Sequence, residues 1–122
     1  MVVLNPAPAR SLPKGFFDCI DVIVPNESEA SLLTGMPAGT PGQVEAAGRT
    51  LLEAGVQSAL IVEVKRVAHN LPAYGVEVVD TTAAGNAFVA GLTVGLAEGM
   101  NLLEAVRLGH AAGAIAVTCL GA

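Results

Sequence analysis

The chain has 122 residues, which is enough for one small domain. Hydrophobic residues make up 52% of it and aromatic residues only 3%, so its core must be built from Ala, Val, Leu and Ile packed against 14 glycines. The net charge of −5, with only 14% charged residues, leaves no basic patch for nucleic acid or anionic lipid, so neither partner is expected.

The first half of the chain is predicted to alternate strands and helices. Continuous apolar runs are typical of buried parallel strands, and a polar cap followed by helical spacing marks a helix. In chain order the predicted elements are strands at residues 2–4 and 20–24, a helix from Asn26 to about residue 33 stopped by Gly35 and Pro37, a helix at residues 41–54 capped by Gly55, and a strand at residues 59–64.

The second half is predicted to be mainly helical. Residues 65–75 give no clear pattern, and residues 76–79 form a fourth apolar strand. A helix with one apolar face then runs to about residue 98, where Gly99 ends it, and Asn101 caps the last helix. The residues predicted to pack are Phe88, Leu92 and Leu96 on the first of these helices, and Leu103, Val106, His110, Gly113 and Val117 on the second.

Strands that alternate with helices indicate an α/β layer structure with a mainly parallel sheet. In such sheets ligands bind outside the carboxyl ends of the strands. Asn26 and the turn at residues 83–86 each follow the end of a predicted strand. We therefore expect them to face the same crevice.

No membrane span or export signal is predicted. The first ten residues, MVVLNPAPAR, lack the charged start and the long apolar run of a signal peptide. The most apolar stretches contain polar or charged residues, which favours buried helices, and the repeat of Gly91, Gly95 and Gly99 is explained by close helix packing. A cytoplasmic location is expected, with Cys19 and Cys119 as reduced thiols in the core.

Residues 78–87, VVDTTAAGNA, are the most informative stretch of the chain. An apolar strand runs into Asp80, and a turn of small residues leads into a helix. Small residues let the backbone approach a ligand closely. The free N–H groups of the first helical turn lie at the positive end of the helix dipole, which suits a phosphate. A carboxylate at Asn86 would accept a proton from an attacking hydroxyl, but the chain has an amide there.

Each of these signals also has a structural explanation. Asn26 followed by Glu29 is a capping box of the Asn type. The small residues at 83–86 could form only a tight strand-to-helix turn, since short glycine motifs are weak evidence. Asp80 could cap the same turn, and His110 could be a partly buried packing residue.

Four segments in the same order resemble the phosphofructokinase-B family of carbohydrate kinases, and its ribokinase-like members in particular. They are VLNPAPAR at residues 3–10, VIVPNESEASLLTG at 22–35, the stretch 78–91, and RLGHAAGAIAVTCLGA at 107–122. An N-x-x-E motif alone would be weak, but four ordered segments are specific. The resemblance implies a ribokinase-like three-layer fold, truncated here, with helices on both faces of a mainly parallel sheet. It also implies transfer of the ATP γ-phosphate to ribose or a similar sugar.

The resemblance implies roles for individual residues. Asn86 stands at the position of the family's catalytic base, and backbone N–H groups around Ala84 and Gly85 would form the anion hole. Asn26 would approach the phosphates of ATP together with Gly85 and Asn86, and Glu29 would organise magnesium through water. The other implied residues are His110 near adenine and ribose, and Asp80, Thr82, Ala116, Cys119 and Gly121 around a monovalent cation such as potassium.

Three departures from the family pattern bear on activity. The chain matches only the C-terminal part, so residues 1–122 are interpreted as a partial nucleotide- and anion-binding domain without the sugar-binding portion and lid. The family's T-L-G-x-x-G segment, which holds nucleotide, is replaced by VEVKRVAHNLPAYG at residues 62–75. Asn86 replaces the base, and the sequence stops before the last cation-loop ligand.

Three functions therefore remain open. The chain could be part of an ATP-dependent sugar kinase, with little activity of its own. It could be a non-catalytic module that binds an anion or nucleotide, or that pairs with a second copy or with a chain supplying the missing half. It could also be a degenerate fragment without function.

Overall fold

The computed structural model describes residues 1–13, 15–62 and 84–118. The chain divides into two units, Met1–Arg66 and Val67–Ala122, which are described separately. The first unit contains β1 (Val3–Leu4), a 3-10 turn (Phe17–Cys19), β2 (Val22–Ile23), α1 (Glu27–Thr34), α2 (Pro41–Glu53) and β3 (Ser58–Ala59). The second contains α3 (Ala84–Ala97) and α4 (Leu102–Ala116).

The strands of the first unit form a parallel sheet in the order β1-β2-β3. Val22 is paired with Val3 on one side and with Ser58 on the other, so β2 lies in the centre. Its side chains are buried, as expected for a continuous apolar run in a parallel sheet. The prediction of a mainly parallel sheet is confirmed for the described strands.

The strands are shorter than the apolar runs that predicted them. Regular pairing on β3 covers only Ser58–Ala59, followed by a single bridge between Asn26 and Val62. The central strand is followed by Pro25, which has no N–H to donate, although its carbonyl accepts from the Val62 N–H at 2.9 Å. The segments after β2 and β3 therefore stay hydrogen-bonded, without regular strand pairing, up to Asn26 at the start of α1.

Both predicted helices of the first unit are present. Asn26 is the N-cap of α1, and the helix ends at Gly35, which adopts the left-handed conformation with φ 70° that glycine tolerates best. Thr40 caps α2 with its hydroxyl, and Pro41 occupies the first turn, where no N–H is needed. The C-cap of α2 is Ala54, so the predicted cap at Gly55 is wrong by one residue.

The first unit has two small cores. Ile20 and Ile23 of the central strand region pack with Leu51 of α2 and with Val56. A second cluster is made of three alanines: Ala30, Ala38 and Ala47. Small side chains allow α1 and α2 to approach each other closely, which is how a chain with few aromatic residues fills its interior.

The described part of the second unit, residues 84–118, is a hairpin of α3 and α4. Phe88, Leu92 and Gly95 are the buried residues of α3, while Leu96 is half-buried. A Cβ on Gly91 would lie 3.0 Å from the Ala112 Cβ, and one on Gly95 would lie 2.9 Å from the Cα of Ala105. The predicted close packing is confirmed at Gly91 and Gly95.

Two details of this hairpin differ from the prediction. Gly99 does not pack but lies in the turn after α3, with φ 82°. Leu103 is 53% exposed, whereas the buried residues of α4 are Ala105 and Gly109. The predicted contact face is borne out at Val117, which is buried, and at Gly113, which lies against α3. It is wrong at Leu103, because backbones this close leave room only for small side chains there.

The expectation for Cys19 is also wrong. Cys19 is a free, exposed cysteine at the end of the 3-10 turn, and the chain becomes buried only at the next residue, Ile20. The buried run thus begins at Ile20, where the strand was predicted to begin, and Cys19 lies just outside it. Cys119, the segment 65–75 and the strand predicted at 76–79 lie outside the described residues.

In the parts of the chain that the structure describes, no helix has both the length and the apolar character needed to cross a membrane.

Candidate functional site

Asn26 and Glu29 form a reciprocal capping box at the start of α1. The Glu29 N–H donates to Asn26 Oδ1 at 2.8 Å, and the Asn26 N–H donates to Glu29 Oε2 at 2.8 Å. This arrangement satisfies two N–H groups that a helix start leaves without intrahelical partners. The structural explanation of the motif is therefore confirmed.

The box still leaves polar atoms that a ligand can use. Asn26 engages its Oδ1 and Glu29 its Oε2, so within the described chain Asn26 Nδ2 and Glu29 Oε1 make no hydrogen bond. Both side chains are only partly buried. An amide N–H pair can donate to a phosphate oxygen, and a carboxylate oxygen can accept from metal-bound water. Capping and binding are thus compatible at the same two residues.

A second capping box with the same residue types starts α4. Asn101 Oδ1 accepts from the Glu104 N–H at 3.0 Å, and the Asn101 N–H donates to Glu104 Oε2 at 3.2 Å. Both residues are exposed. The N-x-x-E pattern therefore occurs twice in this chain, and it marks a helix start in both places. Asn26 and Glu29 are distinguished by their position after the central strand and by their partial burial.

The candidate anion hole lies at the start of α3. Ala84 is the first residue of this helix and is half-buried, while Gly85 and Asn86 are exposed. A Cβ on Gly85 would meet no atom of the described residues within 4 Å. The exposed N–H groups and the helix dipole make the turn suitable for an anion, and the first turn carries no acidic residue that would oppose binding.

His110 packs inside the second unit. Its ring meets the Phe88 ring edge to face, with centroids 5.2 Å apart and an angle of 62° between the planes. Partial burial lowers the pKa of His110, because desolvation disfavours the charged imidazolium. The packing explanation of His110 is therefore supported. The contact of His110 with nucleotide stays a prediction.

The residues proposed around a monovalent cation are mostly outside the description. Ala116 is the last residue of α4 and is half-buried. The structure does not describe Asp80, Thr82, Cys119 or Gly121. Among residues 1–13, 15–62 and 84–118, no cluster of three or more His, Cys, Asp or Glu side chains could hold a metal ion.

The candidate residues fall into two groups. Asn26 and Glu29 belong to the first unit, whereas Ala84, Gly85 and Asn86 share the second unit with His110 and Ala116. The shared crevice expected for both groups stays a prediction. Sequence reasoning did not give Gly109 and Gly113 a place beside the site, although the spacing of four residues in GHAAG was a signal of close helix approach.

Comparisons with known proteins agree with the parallel sheet and its helices. Residues 1–122 match the pfkB family of carbohydrate kinases. The chain is 37% identical over 129 residues to the ribokinase of Haemophilus influenzae, an alignment that covers 99% of this chain and 42% of that protein. It is 38% identical over 97 residues to the deoxyribokinase of Salmonella typhi, covering 72% of this chain and 32% of that protein.

Solved structures give the same result. The ribokinase of Thermotoga maritima has a TM-score of 0.82 and 38% identity, covering 100% of this chain and 44% of that one. Arabidopsis thaliana ribokinase, in complex with ribose and ATP, has a TM-score of 0.87 and 32% identity. The match covers 99% of this chain and 42% of that one.

The chain thus belongs to the pfkB family of carbohydrate kinases and has a ribokinase-like fold. It spans less than half the length of these ribokinases.

Proposed function

We propose that this chain is the nucleotide- and phosphate-binding part of an ATP-dependent sugar kinase of the ribokinase type. The observation that carries the proposal is the match of all 122 residues to the family, combined with relatives named ribokinase over 99% of the chain. The relative from Arabidopsis thaliana binds ribose and ATP, which supports ATP and a pentose as ligands.

In this proposal the start of α3 binds the transferred phosphate. The backbone N–H groups around Ala84 and Gly85 donate to phosphate oxygens at the positive end of the helix. Phosphoryl transfer depends mainly on positioning and on electrostatic stabilisation of the phosphate, which backbone donors can supply. No atom of the described residues lies within 4 Å of a Cβ placed on Gly85, which is consistent with this role.

In the same proposal Asn26 and Glu29 bind the nucleotide and its magnesium ion. Asn26 Nδ2 approaches the ATP phosphates, and Glu29 Oε1 orients water bound to magnesium. Both atoms are free of hydrogen bonds to the described residues, which makes these roles possible without loss of the cap. Magnesium itself neutralises charge on the phosphates during transfer.

The proposal also includes potassium beside the anion hole, held by Asp80, Thr82, Ala116, Cys119 and Gly121. It includes a cytoplasmic location, because ATP and free sugars meet there. His110 borders the adenine and ribose. The sugar is ribose or a similar pentose, as the names of the relatives support.

Asn86 favours a second candidate, a binding module without efficient chemistry. An amide cannot accept the hydroxyl proton, and general-base catalysis contributes roughly 10²–10⁴-fold. The backbone donors of the same turn do not depend on a carboxylate, so anion binding would survive. Such a module could act by pairing with a second copy or with a chain that carries the sugar-binding portion.

The test is calorimetric titration of the folded chain with Mg-ATP in potassium buffer. We expect saturation at one site, and weaker binding when sodium replaces potassium or when magnesium is removed. No heat from a protein shown to be folded would contradict the proposal and leave the family resemblance as a record of ancestry.

A further inference from the structure

Two glycines of α4 lie directly against the start of α3. A Cβ on Gly113 would be 3.2 Å from the carbonyl oxygen of Ala84 and 3.7 Å from the Phe88 Cβ. A Cβ on Gly109 would be 2.7 Å from the carbonyl oxygen of Phe88. Gly113 therefore lies against the backbone at Ala84, and Gly109 lies against both the carbonyl and the ring of Phe88.

The contact at Ala84 reaches the proposed anion hole through one peptide group. A peptide unit is planar, so the carbonyl of Ala84 and the N–H of Gly85 move together. Gly85 N–H is one of the donors expected to point at the phosphate. A side chain that pushed the Ala84 carbonyl oxygen would therefore rotate the peptide group and turn the Gly85 N–H away from the phosphate.

We infer that Gly113 is a positioning residue for the anion hole. Its missing side chain lets α4 support the Ala84 carbonyl and so fixes the direction of the Gly85 N–H. This inference rests on the proposed function, in which that N–H binds phosphate. Phe88, held between Gly109 and the His110 ring, fixes the next turn of α3 in the same way.

A purely structural glycine would behave differently when it is replaced. Alanine favours a helix interior over glycine by about 1 kcal/mol. The Cβ of Gly113→Ala would demand a shift of only a few tenths of an ångström, which a helix pair can absorb. If Gly113 served packing alone, the variant would be as stable as the wild type and would bind equally well.

The experiment compares Gly113→Ala with Gly48→Ala. Gly48 lies on α2 of the first unit, where a Cβ would make an ordinary contact of 3.8 Å with Ile61 Cδ1. We expect Gly113→Ala to unfold at no lower urea concentration than the wild type. We expect its dissociation constants for Mg-ATP and for inorganic phosphate to rise about three- to tenfold, since small misplacements of a binding group are costly. Gly48→Ala should bind as the wild type does.

A second readout does not need a ligand. The amide resonance of Gly85 in the free protein should shift in Gly113→Ala and stay unchanged in Gly48→Ala. Equal affinities with an unmoved Gly85 resonance would overturn the inference, and so would a Gly113→Ala chain that fails to fold, because packing would then explain the glycine. A wild-type chain that binds no anion would overturn the proposed function. In that case a shifted Gly85 resonance would still show that Gly113 sets the direction of this peptide group, and an unmoved one would overturn that link as well.

Discussion

Glu29 and Glu104 have the same local role in different surroundings. Each uses one carboxylate oxygen to accept from the N–H of an asparagine at the N-cap. Glu29 follows the central strand of the sheet, whereas Glu104 follows the turn between two helices. The hydrogen-bond pattern therefore does not distinguish a cap from a ligand site. The chain contains its own control for every experiment on this motif.

Glu29→Gln should weaken magnesium-dependent binding without unfolding the protein. Glutamine keeps the oxygen that completes the capping box but removes the charge that organises metal-bound water. We expect the affinity for Mg-ATP to fall about tenfold, as for the loss of an outer-shell metal partner. The measurement is calorimetric titration. Glu104→Gln is the matched control, and equal losses in both variants would contradict the metal role of Glu29.

Asn86→Asp should restore a general base. We expect release of ADP from Mg-ATP, with water as the acceptor, to rise roughly 10²–10⁴-fold. The affinity for Mg-ATP should fall at the same time, because the new carboxylate places a negative charge beside the phosphates. Asn101→Asp adds the same charge at a capping position of α4 and serves as the control. A rate of ADP release no higher than that of the wild type would exclude a catalytic role for position 86.

His110 should make the stability of the fold depend on pH. Its pKa is lowered in the folded protein and is near 6.5 when the chain is unfolded, so the folded state disfavours protonation. Stability from this residue is complete above about pH 6.5 and is lost as the pH falls through the lowered pKa. Urea unfolding of the wild type and of His110→Gln between pH 5 and 8 would measure the difference. Parallel curves would contradict the prediction; the other histidine, His69, is present in both proteins.

The helices of the second unit depend on glycine more than on large apolar residues. Gly91 and Gly95 bring α3 within backbone contact of α4, and the buried residues of α4 are Ala105 and Gly109. Dispersion between closely packed backbones replaces the contacts that aromatic side chains would make elsewhere. This explains how a chain with 3% aromatic residues builds a helix hairpin.

Gly95→Ala should destabilise this hairpin despite the higher helix propensity of alanine. The new Cβ would lie 2.9 Å from the Ala105 Cα, which cannot move aside as a flexible side chain can. Overpacking of this kind costs about 1–3 kcal/mol, against about 1 kcal/mol gained from propensity. Urea unfolding should show a net loss for Gly95→Ala and none for Gly48→Ala. A Gly95→Ala chain as stable as the wild type would mean that the helices separate easily.

At the level of the whole molecule, the chain covers only part of the proteins it resembles. It spans 42% of the Haemophilus influenzae ribokinase, and the residues that select the sugar belong, by the resemblance, to the family's other portion. The proposed phosphate and nucleotide contacts, in contrast, fall on residues present here. Nucleotide binding by this chain can therefore be tested separately from sugar binding.

Ribose should not change the binding of Mg-ATP to the 122-residue chain. In a complete kinase the sugar and nucleotide sites face each other, so the two ligands would affect each other's binding. We expect identical Mg-ATP titrations with and without ribose, and no ribose phosphate among the products. The Haemophilus influenzae ribokinase is the positive control. A ribose-dependent change in affinity would show that the chain holds a sugar site of its own.

Much of this architecture could be predicted from the sequence because local signals were strong. Continuous apolar runs predicted the parallel strands, and Asn26 and Asn101 predicted the starts of α1 and α4. Predictions were less accurate where the outcome depended on neighbours. Cys19 was predicted to lie in the core but is exposed. The prediction failed because its exposure depends on how the 3-10 turn meets the sheet.

The sequence by itself determined the family, the order of the elements and the N-caps at Asn26 and Asn101, since each depends on residues close together in the chain. Only the tertiary structure decided that α4 packs through Ala105 and Gly109 instead of Leu103, because the contact face depends on how closely two helices approach. It also brought Gly113 against Ala84, 29 positions earlier in the chain; the glycine spacing indicated close packing, but not the partner. Such contacts depend on packing between elements, and packing is fixed only when the chain is folded.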